Sequence, residues 1–145
     1  MDSTDISIVE IRTDEIYRKV LLNFDEKKVY LDPSLSLIKL SEIVGTNTTY
    51  LSNTINRYCG CNLRTFINRY RISTAKQLLS EGNCNLKELH RLCGFASRSA
   101  FYAAFQRAVG TSPLGYLVEL KKKEVNLNRK MGQQIGDYNE VSPQK

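Results

Sequence analysis

The chain has 145 residues, 41% hydrophobic and 25% charged, with a formal net charge of +6. That length fits one domain, or two very small ones sharing a helix. The longest aliphatic run is three residues, VLL at 20–22, so the sequence contains neither a membrane-spanning helix nor a secretory signal.

The distribution of charge says more than its sum. Residues 1–30 carry seven acids against five bases, residues 36–120 carry ten bases against four acids, and residues 121–145 carry six bases against three acids. A basic centre suits a polyanionic partner. Cysteines stand at 59, 61, 84 and 93, and the only histidine is His90. Their spacing fits no zinc signature, so no metal is expected. Cys59 and Cys93 fall on expected core faces, where a free thiol packs as a small apolar group, and reduced thiols imply a cytoplasmic setting. There is no phosphate-binding glycine loop, no dinucleotide turn and no nucleophile–base set. The reading is therefore of a non-enzyme with no catalytic residues and no cofactor.

In chain order, residues 1–12 read as a disordered or linker N-terminus. Thr13 before Asp14 and Glu15 suits a helix start, with the helix running to about Lys28. Asp32-Pro33 breaks the chain. A unit then occurs twice. Leu37, Leu40, Val44 and Gly45 align with Leu86, Leu89, Cys93 and Gly94 at an offset of 49; Leu51, Ile55, Tyr58 and Gly60 align with Phe101, Phe105, Ala108 and Gly110 at an offset of 50. Apolar residues at helical spacing, a glycine, then a second apolar series describe two short helices across a tight turn. Asn85 with Glu88 three residues on is capping-box-like, and Ser112-Pro113 opens a last helix to about Leu120. Between the repeats, 62–82 form a rod of about 30 Å, close to the roughly 34 Å of one DNA turn. The boundaries are a first helix-turn-helix subdomain at 13–61, a linker helix at 62–82, a second subdomain at 83–120 and a flexible basic tail at 121–145.

The second helix of each repeat has two faces. Phe101, Ala104, Phe105 and Ala108 share one side of 97–109, and Arg98, Ser99, Tyr102 and Gln106 share another. In the first repeat Leu51, Thr54, Ile55 and Tyr58 face inward, while Thr49, Ser52, Asn53 and Asn56 match the polar set. A slim face of donors and acceptors is what the major groove accepts. Arg98 suits guanine, Asn53, Asn56 or Gln106 suit adenine, and Tyr102 suits a thymine methyl. Hydroxyls at the helix starts, Thr48 and Ser97 among them, suit phosphates. The expected DNA-binding set is Thr48, Thr49, Ser52, Asn53 and Asn56 with Ser97, Arg98, Ser99, Tyr102, Ala103 and Gln106. An ordinary solvated polar face is the bland alternative for either helix alone.

The segments "YLDPSLSLIKLSEIVG", "YLSNTINRYCGCNLRTFINRYRISTAKQLL" and "GFASRSAFYAAFQRAVGTSPLGYL" resemble the AraC/XylS family of bacterial transcription regulators over about residues 13–120. The wording of "YLSNTIN" and "SRSAFYAAF" is most similar to regulators of Bacteroides-type bacteria. The resemblance implies an all-α, seven-helix fold of two helix-turn-helix subdomains joined by a long linker helix, with one recognition helix each. It implies base-reading positions at Thr49, Ser52, Asn53, Arg98, Ser99, Tyr102 and Ala103. Double-stranded DNA is the implied partner, with RNA polymerase and a second copy of the chain, joined through regions outside this one, as further candidates. No membrane contact by this segment is expected. The resemblance leaves two arrangements open, a stand-alone DNA binder or the C-terminal output domain of a larger sensor, with the second favoured. Three departures stand out. Ala103-Ala104-Phe105-Gln106 replaces the frequent RxFK, Tyr116-Leu117 replaces Tyr-Arg, and His90 takes the place of a small residue. This thinning of basic residues leaves a rival reading, a protein-interaction module built on a degenerate helix-turn-helix.

Overall fold

The computed structural model describes the backbone of residues 3–140 and the side chains of residues 12–133. Regular structure among them is entirely helical. The order is α1 (Ser3–Asp25), a 3-10 turn (Val29–Leu31), α2 (Leu37–Val44), α3 (Thr48–Cys59), α4 (Leu63–Glu81), α5 (Leu89–Leu92), α6 (Arg98–Val109) and α7 (Pro113–Glu140).

These helices enclose two apolar clusters. Val20 and Phe24 of α1 pack with Leu40, Val44, Leu51, Ile55, Phe66 and Ile67. Leu89, Cys93, Phe101 and Phe105 pack with Ile72, Ala75 and Leu79. Each fully buried large side chain contributes about 1.5–3 kcal/mol. Helix α4 serves both clusters, Phe66 and Ile67 closing the first and Ile72, Ala75 and Leu79 the second. The helix that separates the two units is thus also a wall of each.

The duplication extends further than the sequence comparison. Both α3 and α6 are 12 residues long and begin 50 positions apart. Asn47 caps α3 by accepting from the Tyr50 N–H, and Ser97 caps α6 by accepting from the Ala100 N–H. Gly60 and Gly110 close them in the left-handed region, at φ 65° and 87°. The next caps repeat too. Asn62 accepts from Thr65 at the start of α4, and Ser112 accepts from Gly115 at the start of α7, so the repeated unit has three helices, not two.

Several boundaries differ from the sequence reading. Residues 1–12 read as a linker, yet α1 begins at Ser3, because no proline or glycine interrupts 3–25. Thr13 is therefore an interior position of α1. The helix also stops at Asp25 instead of Lys28, where Lys28 takes the left-handed conformation at φ 52°. The stretch 121–140 of the expected flexible tail continues α7 instead. Its Lys, Glu, Arg, Gln and Leu favour helix, and isolated glycines cost only about 1 kcal/mol each; residues 141–145 lie outside those described. Asn85 does not cap α5. Its carboxamide accepts from the Lys87 N–H and forms a turn, Glu88 pairs with Arg91, and α5 shrinks to a single turn. Tyr58 and Ala108 are exposed, not inward. Tyr58 instead stacks on Tyr17 of α1 at 4.4 Å between ring centroids. Cys93 is fully buried, while Cys59 is only half-buried.

Candidate nucleic-acid interface

On α3, Leu51 and Ile55 are wholly buried, and Thr54, also buried, donates its hydroxyl to the Tyr50 carbonyl at 2.7 Å. Rotating away from them brings Thr49, Asn53 and Asn56 to the exposed side, with Thr48 and Ser52 half-buried at its edge. On α6, Phe101, Ala104 and Phe105 are buried. Ser97, Arg98, Ser99, Tyr102, Ala103 and Gln106 are all exposed. The Ser97 hydroxyl is engaged as the cap of α6, and Thr48 opens α3 one residue after its cap. The expected set is therefore divided five and six between two register-matched helices. Neither helix contains an acidic residue, so neither repels a polyanion.

Both helices are seated on α4, and the two units meet at Arg71 near its middle. This side chain is 8% exposed. Its Nε–H donates to the Tyr30 carbonyl at 2.7 Å and an Nη2–H donates to the Asp32 carbonyl at 2.9 Å. The guanidinium also lies over the Phe95 ring, 5.4 Å from its centroid. A buried cation needs such partners; burial pulls its pKa down, opposed by the nearby Asp32 carboxylate. Gly94 closes the same junction at φ 98°. A β-carbon there would collide with the Tyr30 carbonyl oxygen and sit 2.9 Å from the Leu31 Cα. The turn of the second unit is thus pressed against the linker of the first, which fixes one unit relative to the other.

Sequence reasoning missed Arg71. The available signal was the apolar series at i+4 along α4, Ile67 then Ala75 then Leu79, which an arginine interrupts at 71. A cation on a buried stripe implies partners at depth. His90 is half-buried, and its Nδ1 is the one buried side-chain polar atom without a hydrogen bond among the described residues.

Residues 40–118 match the family model described as a helix-turn-helix domain. The chain is 30% identical over 115 residues to a probable transcriptional regulator, LumQ, of Photobacterium leiognathi, covering 70% of this chain and 46% of that one. The C-terminal domain of AraT, a response regulator from Geobacillus stearothermophilus, superposes with a TM-score of 0.60 at 23% identity, over 77% of this chain and 84% of that one. A transcriptional regulator from Chromobacterium violaceum with an AraC-type DNA-binding domain superposes with a TM-score of 0.55 at 21% identity, over 59% and 77%. The chain belongs to the AraC-type helix-turn-helix family. As an AraC-type domain it spans under half the length of LumQ. Within the AraC-type arrangement, α3 and α6 are the second helices of the two helix-turn-helix units, and α4 is the helix between them.

Proposed function

We propose that this chain is the output module of a larger sensor and reads one operator with both units at once, α3 and α6 lying in successive major-groove segments of one duplex. In this reading Thr49, Ser52, Asn53, Asn56, Arg98, Ser99, Tyr102, Ala103 and Gln106 meet base edges, while Thr48 and Ser97 lie near phosphates. The observation that carries it is the pair of acid-free, exposed polar faces on α3 and α6, 50 residues apart in register and both seated on α4. At 19 residues α4 spans about 28 Å, near the pitch of B-DNA. RNA polymerase and a second copy of the chain are further partners in this reading, and the cytoplasm is where it acts.

Fluorescence anisotropy with a pool of random-sequence duplexes tests it. Binding in the micromolar range at low salt, weakening steeply as salt rises, is the expected result. Absence of binding at low salt would overturn it in favour of the protein-interaction module.

A further inference from the structure

The replacement of basic residues at 103 and 106 by alanine and glutamine leaves α6 poor in phosphate contacts, yet the same helix turns another base elsewhere. An open cleft of about 660 Å³ separates the two units, walled by the start of α2, the first half of α4, and the segment 95–107. Arg64 and Arg107 stand on its two sides and Arg71 contributes to its floor, while no aspartate or glutamate lines it. Arg64 and Arg107 are exposed. Among the described residues their side chains have no hydrogen-bond or ion-pair partner. Asp32, next in sequence to the lining residue Pro33, is already held by Lys39. On the side of the second unit, Ala96 before α6 and Ala100, Ala103 and Ala104 on it are the small lining residues between Phe95 and Arg107, and they leave the cleft room that leucine or lysine would fill.

Ala103 belongs both to this wall and to the exposed face of α6, so a duplex lying on that face runs directly past the cleft. A strand crossing from the segment read by α3 to that read by α6 presents phosphodiester anions to it. Guanidinium groups suit such anions, because their forked N–H donors match two phosphate oxygens at once. We infer that the cleft between the two units holds the sugar–phosphate backbone of one DNA strand, with Arg64 and Arg107 clamping it from opposite sides. The inference rests on the two-unit reading above and adds to it a sequence-independent clamp that replaces the bases missing from 103 and 106.

The test uses Arg64→Ala, Arg107→Ala and the double variant, with Arg64→Lys/Arg107→Lys as the charge-keeping control. Both positions are exposed, so unchanged circular dichroism and melting temperature are expected. The double alanine variant should bind random duplex and a duplex selected by the unaltered protein with the same proportional loss, at least roughly tenfold at low salt. The slope of log affinity against log salt should flatten by about two units, and the lysine pair should restore most of it. An unchanged slope, or a loss confined to the selected sequence, overturns the clamp while leaving two-unit DNA binding intact. Failure of the unaltered protein to bind any duplex overturns both. Duplex should also shield Arg64 and Arg107 from an arginine-modifying dicarbonyl; shielding by inorganic phosphate and not by duplex would make the cleft a small-anion site and overturn the clamp.

Discussion

Gly94 has no room for a side chain because the backbone of Tyr30 occupies the space where its β-carbon would stand. The two residues are 64 positions apart and belong to different helix-turn-helix units, so this contact is where one unit is held against the other. Gly94→Ala meets two costs, the left-handed φ of 98° and the collision. Gly60→Ala meets only the first, since its φ of 65° opens onto free space. Strain of this kind costs about 1–3 kcal/mol. Urea denaturation should place Gly94→Ala lower than Gly60→Ala by a further kcal/mol or more, by the usual cost of forcing packed groups apart. Equal losses would mean that the 30–31 backbone yields freely.

Arg71→Met keeps the apolar stem over Phe95 and removes both donors, leaving the Tyr30 and Asp32 carbonyls without them. Losing two hydrogen bonds from a charged group, at about 1.5–3 kcal/mol each, costs about 3–6 kcal/mol. Because the two bonds reach from α4 to the turn preceding α2, hydrogen exchange should quicken around residues 29–32 before it quickens in α6. Arg71→Lys should recover little, since a single ammonium lacks the fork that serves both carbonyls.

These two positions also show how far the sequence alone reaches. The paired polar faces, the turn glycines at 45 and 94 and the proline opening α7 are local patterns, and each is legible because its cause lies within a few residues. The Gly94–Tyr30 approach and the Arg71 bonds were not legible, because both join residues about 40 or more positions apart. Tyr58 misled for the opposite reason. Its helical phase points partly inward, but Tyr17 of α1 reaches out to stack upon it and holds it at the surface. The ends of α1 and α7 were misread because weak stop signals were given the weight of strong ones. The exposed polar faces of α3 and α6 follow from helical phase alone, whereas the cleft with Arg64 and Arg107 needs both units placed together.

Asp32 ties stability to acid pH. Hydrogen bonds from Lys39 and from the Ser34 hydroxyl and N–H hold its carboxyl well below the usual carboxylate range. A group whose pKa is depressed by folding stabilises the fold above its unfolded value, and that contribution fades as pH falls below about 4 toward the folded value. Asp32→Asn should flatten the fall of the urea midpoint between pH 5 and pH 3. A profile identical to that of the unaltered chain would mean that this exposed cluster is also formed in the unfolded state.

Cys93 is sealed in the second core, its thiol pushed up to about 12 by burial, against opposing help from Arg71 and the local backbone. Cys59, Cys61 and Cys84 are half-buried. A thiol-reactive dye at neutral pH should therefore label three cysteines in the native protein, and the fourth only at the rate of unfolding. Rapid labelling of Cys93 would mean that α5, a single turn, opens readily.

The two-unit reading makes its sharpest demand on spacing. Because α4 is a wall of both cores and Arg71 and Gly94 lock the junction, the protein cannot rotate one unit to follow a displaced half-site. Five base pairs inserted between the halves of a selected operator turn the second half by about 180°. The second unit then loses its base contacts, and affinity should fall to that of one unit on random DNA. A ten-base-pair insertion restores the phase but moves the half-site beyond the reach of α4, so it should not rescue binding. Arg98→Ala, on the original spacing, should cost about 1–3 kcal/mol if its fork meets a guanine, and on the five-base-pair variant it should cost almost nothing. Equal losses on both operators would mean that α6 touches DNA without reading it, and undiminished affinity for the five-base-pair variant would mean that only one unit engages.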